Sequence, residues 1–211
     1  MKKFDKIIFL ACGLLLMLAA LPVLAQQNIE LNKKPLQEFD ETVKPKVDNK
    51  EIDFSKLFLV EIEGYLTNEG RLDTKKTKII RREGDTQMDE VAVSSVLAIS
   101  DSGFFAYLGN LGIEKVNIII GQDDKQFYTN LISEVNTIGR AKTITSSINT
   151  IVQIAKIQEK NEDTKLLLNN LRVSNDDKKV IFNCSLPATT AQEMIKRNLL
   201  KYANRKNESN S

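Results

Sequence analysis

Leu57-Phe58-Leu59-Val60-Glu61-Ile62-Glu63-Gly64-Tyr65-Leu66 decides how the rest of the chain is read. Phe58, Val60 and Ile62 fall on one face and Glu61 and Glu63 on the other, which predicts a half-buried strand. Asn68-Glu69-Gly70 follows as a turn, with glycine able to take positive φ. Lys78-Ile79-Ile80-Arg81-Arg82 predicts a second strand whose charges face water or guard an edge. Asp85 then caps a helix through Met88, Val91, Ala92, Val96 and Ile99, which Asp101-Ser102-Gly103 breaks.

Toward the C-terminus, Phe104-Phe105-Ala106-Tyr107-Leu108 predicts a short helix ending near Gly112. Two readings of its aromatics stay open: core, or a hydrophobic surface for a partner. Phe104, Phe105 and Tyr107 are therefore the candidate partner-contact residues. Lys115 to Ile120 and Gln126 to Leu131 predict a hairpin turning at Gln122-Asp123-Asp124-Lys125. Asp123 and Asp124 read as turn residues, because the further oxygen ligands of a calcium loop are missing.

Ile138 to Leu171 carries a helical stripe of Ala141, Ile144, Ile148, Ile151, Val152 and Ala155, interrupted at Asn161-Glu162-Asp163. A long helix across a sheet is the expectation, with a coiled-coil dimer as the alternative. Leu171 to Ser174 and Val180 to Leu186 predict a last hairpin, with Val180, Phe182, Cys184 and Leu186 on one face. Cys184 therefore reads as a small buried residue. Thr190 and Glu193 have capping-box spacing ahead of a final helix.

Upstream, Lys2, Lys3 and Lys6 precede an apolar run from Ile7 to Leu24, and Val23-Leu24-Ala25 before Gln26 is a small-residue cleavage pattern. Residues 1–25 read as a signal peptide cut between Ala25 and Gln26, and the protein as periplasmic or secreted. An uncleaved anchor is the alternative, since about 18 apolar residues can span a bilayer. Lipid attachment at Cys12 is a third reading. Residues 26–55, polar and carrying Pro35 and Pro45, read as a linker.

These patterns predict an α+β protein. Hairpins form an antiparallel sheet, and helices, one of them long, pack on one face. The domain is expected over 56–203, with one part at 57–131, an extension at 136–203 and a disordered tail at 204–211. Two subdomains divided near Asn136 are the alternative.

Composition narrows the chemistry. The chain has no histidine, so a histidine general base, a Ser-His or Cys-His pair and an imidazole metal ligand are all excluded. With Cys12 in the leader, Cys184 is the one thiol of the exported part, which excludes an internal disulfide. Lys2, Lys3 and Lys6 against Asp5 account for the whole net charge of +2. The balanced remainder gives no support for nucleic-acid binding through bulk charge. No cofactor is expected. Glu61 and Glu63 leave a carboxylate hydrolase as a third-ranked possibility, against the plainer reading of a solvated strand face.

Phe58 to about Leu131 resembles the C-terminal domain of TonB-type energy transducers. The matching features are Leu66 to Leu72 with its Gly70 turn, Thr77-Lys78-Ile79-Ile80-Arg81-Arg82-Glu83-Gly84-Asp85, and Met88-Asp89 leading into a helix and a strand pair. The resemblance implies a strand, a helix and a hairpin that meet receptor segments by strand addition. Transducers also keep a membrane helix and a long proline-rich spacer, which this chain does not match. The leading functional expectation is a non-catalytic, exported protein-binding or scaffolding module that uses a strand edge or the aromatic cluster. A membrane-anchored TonB-like coupling module contacting an outer-membrane partner is the alternative.

Overall fold

Three hairpins lie side by side in one six-stranded antiparallel sheet. The computed structural model describes residues 31–209, with side chains described to residue 198. Positions 25 and 26, and the apolar run before them, lie outside the described residues. The strands are β1 (Phe58–Tyr65), β2 (Lys78–Gly84), β3 (Lys115–Gln122), β4 (Gln126–Glu134), β5 (Leu171–Asp176) and β6 (Lys179–Pro187), in the order β2-β1-β3-β4-β6-β5. The helices are α1 (Lys34–Asp48), α2 (Thr86–Asp101), α3 (Ala106–Asn110), α4 (Ile138–Gln158), α5 (Glu162–Asn170) and α6 (Ala188–Ser209).

The expected α+β architecture is the observed one, and the alternation in the central strands explains it. Phe58, Val60 and Ile62 of β1 and Val116, Ile118 and Ile120 of β3 are buried. Their neighbours Leu59, Glu61 and Glu63 are only half-buried. Helices α2, α4, α5 and α6 pack against strands, and α1 packs on α2. Each fully buried aliphatic or aromatic side chain contributes about 1.5–3 kcal/mol.

Local signals set the helix starts. Asp85 accepts from the Met88 N–H at 3.0 Å, Thr137 from that of Arg140 at 3.1 Å, and Asn161 from that of Thr164 at 3.1 Å. Each satisfies a donor that the first turn leaves open. The turn at Asn68-Glu69-Gly70 has Gly70 at φ +70°, and a Cβ there would lie 2.0 Å from the Ala106 backbone nitrogen. The turn is thus pressed onto the start of α3, which only glycine permits.

Three expectations are corrected. Residues 26–55 do not read through as a linker: α1 occupies Lys34–Asp48 and buries Leu36, Phe39 and Val43, and Ile52 and Phe54 are buried after it. Pro35 falls in the first turn, where its missing N–H costs nothing, and Pro45 falls in the last turn. Gln122 fixes the connection to β1, donating from Nε2 to the carbonyls of Phe54 at 2.8 Å and Lys56 at 3.2 Å. Second, α6 starts directly after Pro187, so Thr190 and Glu193 lie inside it and form no capping box. Third, α6 runs to Ser209, into the residues expected to be a tail. It leaves the strand without a break, which carries helical backbone past the last strongly apolar sequence.

Candidate functional site

Phe104, Phe105 and Tyr107 do not form a surface. They are 4%, 0% and 8% exposed, and they pack on one another with Phe104–Phe105 and Phe104–Tyr107 ring centroids 6.3 and 6.0 Å apart. Burial pushes the Tyr107 hydroxyl above its ordinary pKa. The cluster is core because α3 is wedged beneath the Gly70 turn. This corrects the expectation that it contacts a partner.

Glu61 and Glu63 sit on the face of β1 turned away from the helices. Asn117 donates to Glu61 at 2.8 Å, and Lys115 pairs with Glu63 at 2.8 Å. Each carboxylate is thus engaged by a different neighbour on an open sheet face. Asp123 does the work of a turn residue, accepting the backbone N–H groups of Gln126 and Lys125 at 2.8 Å each. Those bonds hold its carboxyl below the usual range. Cys184 is 4% exposed, and burial pushes its thiol up to about 12. Among the described residues, no three His, Cys, Asp or Glu side chains are grouped so as to hold a metal ion. Nor is any helix among them long and apolar enough to cross a membrane.

The two sheet edges differ. At one end β5 lies beside α4: Asn149 donates to the Val173 carbonyl at 3.0 Å and Thr145 to the Ser174 carbonyl at 3.4 Å. At the other end β2 pairs, among the described residues, with β1 alone, and all seven of its residues are exposed. Ile79 and Ile80 are 39% and 51% exposed, unusual for isoleucine in a strand.

β2 is not a plain edge. Arg81 pairs with Glu61 and Ile79 with Ile62, which leaves Ile80 as the extra residue of a bulge. Lys78, Arg81 and Arg82 flank it, and Arg81 reaches Glu83 at 2.7 Å. Charges and a bulge are how sheet proteins limit indiscriminate pairing. The regular run Arg81–Gly84 beyond the bulge still presents a backbone edge that no described strand covers. Beneath it, Asp89 of α2 is 4% exposed and its Oδ1 has no hydrogen-bond partner among the described residues. Burial raises the Asp89 carboxyl, and nearby Arg82 opposes the rise.

The uncovered sheet face is mixed. Register lines up Arg81, Glu61, Ile119, Asn130, Asn183 and Arg172 in one row across all six strands. Asn183 donates to Asn130 at 2.5 Å within that row. Tyr128 lies against Gly121, where a Cβ would come within 2.6 Å of its hydroxyl.

The charges of Lys78, Arg81 and Arg82 are legible in the sequence as facing water or guarding an edge, whereas the contacts of Asn149 and Thr145 are not. Their signal was weak: two small polar residues beside an apolar helical stripe, with nothing local to say which strand they meet. In comparisons with protein-family models, curated proteins and solved structures, the chain matches none.

Proposed function

We propose that the protein is a non-catalytic, exported binding module that takes an extended segment of a partner protein onto β2. One observation carries this reading: all seven residues of β2 are exposed and, among the described residues, its outer edge pairs with no strand, whereas β5 buries Leu171 and Val173 and has Asn149 of α4 on the Val173 carbonyl. Strand addition supplies affinity through main-chain hydrogen bonds and specificity through alternate side chains. Lys78, Arg81 and Arg82 favour a partner strand carrying carboxylates. Export follows from Lys2, Lys3, Lys6, the apolar run and the Ala25-Gln26 junction. The missing histidine and the separate engagement of Glu61 and Glu63 support a binding role over hydrolysis. The resemblance to TonB-type domains supports the same mode of contact. Its membrane-anchored form rests on the length of the Ile7 to Leu24 run.

The test is site-specific photo-crosslinking in the native envelope, with the crosslinker at position 80 or at position 183. One dominant adduct from position 80, with slowed amide exchange over 78–84, is the expected result. Adducts only from position 183 would move the site to the sheet face. The intact mass separates the two forms: Gln26–Ser211 for the exported module, the full chain for the anchored one.

A further inference from the structure

We infer that the groove between α1 and α2 is a second docking site, and that its occupant is a basic amphipathic helix of a partner protein. The two helices run antiparallel. The Asn32 N–H donates to the Ser102 carbonyl at 3.0 Å where α1 begins and α2 has just ended. At the other end Lys46 of α1 and Gln87 of α2 line the same groove. From Pro35 to Lys46 the groove follows α1 for about 16 Å at 1.5 Å per residue, the length of three helical turns. Its volume is about 330 Å³, at the small end for ligand cavities, so it receives a few anchoring side chains and not a large molecule.

Buried Phe39, Val43 and Ala98 floor the groove, and polar Thr42, Gln87 and Ser94 also line it. Val91 is half-buried, and Leu97 is 42% exposed although it lies between two packed helices. The rim is acidic. Glu38, Glu90 and Asp101 line it against Lys46 alone. Glu38 has Lys34 at 3.6 Å, but neither Glu90 nor Asp101 forms an ion pair among the described residues. An apolar floor between two carboxylates that lack ion pairs fits a helix with an aliphatic stripe and flanking lysine or arginine. Such a helix would complete a three-helix layer by seating its i, i+4 anchors over Leu97. The site is separate from the β2 edge and does not depend on the reading of that edge.

The probe is a synthetic fourteen-residue helical peptide with leucines at i and i+4 and lysines beside them, paired with a twin in which every lysine is glutamate. Each is titrated into the protein and followed by backbone amide NMR. Shifts confined to residues 34–48 and 86–101, from the basic peptide only, are expected. Leu97→Asp should abolish them, and Glu90→Lys with Asp101→Lys should weaken binding by roughly tenfold, as two reversed surface pairs imply. All three positions are at the surface of the groove, and an unchanged urea midpoint checks that each variant folds. Equal binding of the acidic twin, shifts outside those residues, or no effect of the charge reversal would overturn the proposal. So would no binding of the basic peptide, or tighter binding of a neutral small apolar molecule in its place.

Discussion

Asp163 of α5 and Arg197 of α6 are joined at 2.6 Å, with Asp163 buried and its other oxygen accepting from Asn198 at 3.1 Å. The pair ties α5 to α6. Asp163→Ala leaves Asn198 buried without this acceptor and should cost about 2–3 kcal/mol. Arg197→Ala removes a half-exposed partner and should cost about 1 kcal/mol or less. Urea unfolding of the two variants measures the asymmetry, and equal losses would contradict it.

Asp40 of α1 gives a pH dependence. It is 6% exposed, and burial, reinforced by neighbouring Glu41, raises its carboxyl to about 7. A carboxyl raised on folding favours the folded state fully below its unfolded value of 3.8 and loses that contribution as pH rises through about 7. Stability should therefore fall between pH 4 and pH 7 and level off above. Asp40→Asn should remove most of that slope and be more stable than the parent at pH 8. The difference in urea midpoint between the two proteins at pH 5 and pH 8 checks the sign.

Two glycines should respond oppositely to alanine. Gly70 has φ +70° and backbone atoms of Ala106 in the way, so Gly70→Ala should destabilise by more than about 2 kcal/mol. Gly109 sits in α3 with nothing within 4 Å of a Cβ. Gly109→Ala should raise stability by up to about 1 kcal/mol. Thermal unfolding of both variants tests the contrast.

Asn149 ties α4 to β5 through the Val173 carbonyl. Asn149→Ala should cost about 1 kcal/mol and speed amide exchange over residues 171–176, with 78–84 unchanged. Hydrogen exchange read by mass spectrometry resolves the two segments.

Cys184 should be inert in the folded protein. Its thiol is buried, raised to about 12, and donates weakly to the Leu167 carbonyl at 3.9 Å. Labelling by a maleimide at pH 7 should follow the unfolding rate and become immediate in strong denaturant.

The sheet was legible because its strands alternate. Val60 and Ile62 against Glu61 and Glu63 give the inner face, and Asp85 announces a helix start, whereas Asn161 reads only as an interruption. Helix α1 was hidden because Leu36, Phe39 and Val43 are a thin stripe in a polar segment with two prolines. Its helicity is stabilised by docking on α2 more than by propensity. The aromatic cluster was ambiguous because Phe104 and Tyr107 read alike whether they face a core or a partner. Which edge stays open was not legible at all. That depends on β1 pairing with β3 and β4 with β6, contacts between residues distant in sequence.

The strand order carries a consequence for how the chain folds. Each outer hairpin touches the sheet only through the central pair, β1 through β3 and β6 through β4. The β5–β6 hairpin is more local, with Asp176 facing Lys179, but the β3–β4 hairpin, which closes over a short turn held by Asp123, is the pair that both flanks must join. It is therefore the natural nucleus, and both flanks condense onto it after separate loop closures. Changes in β3 or β4 should slow folding itself, whereas changes in β2 or β5 should chiefly speed unfolding.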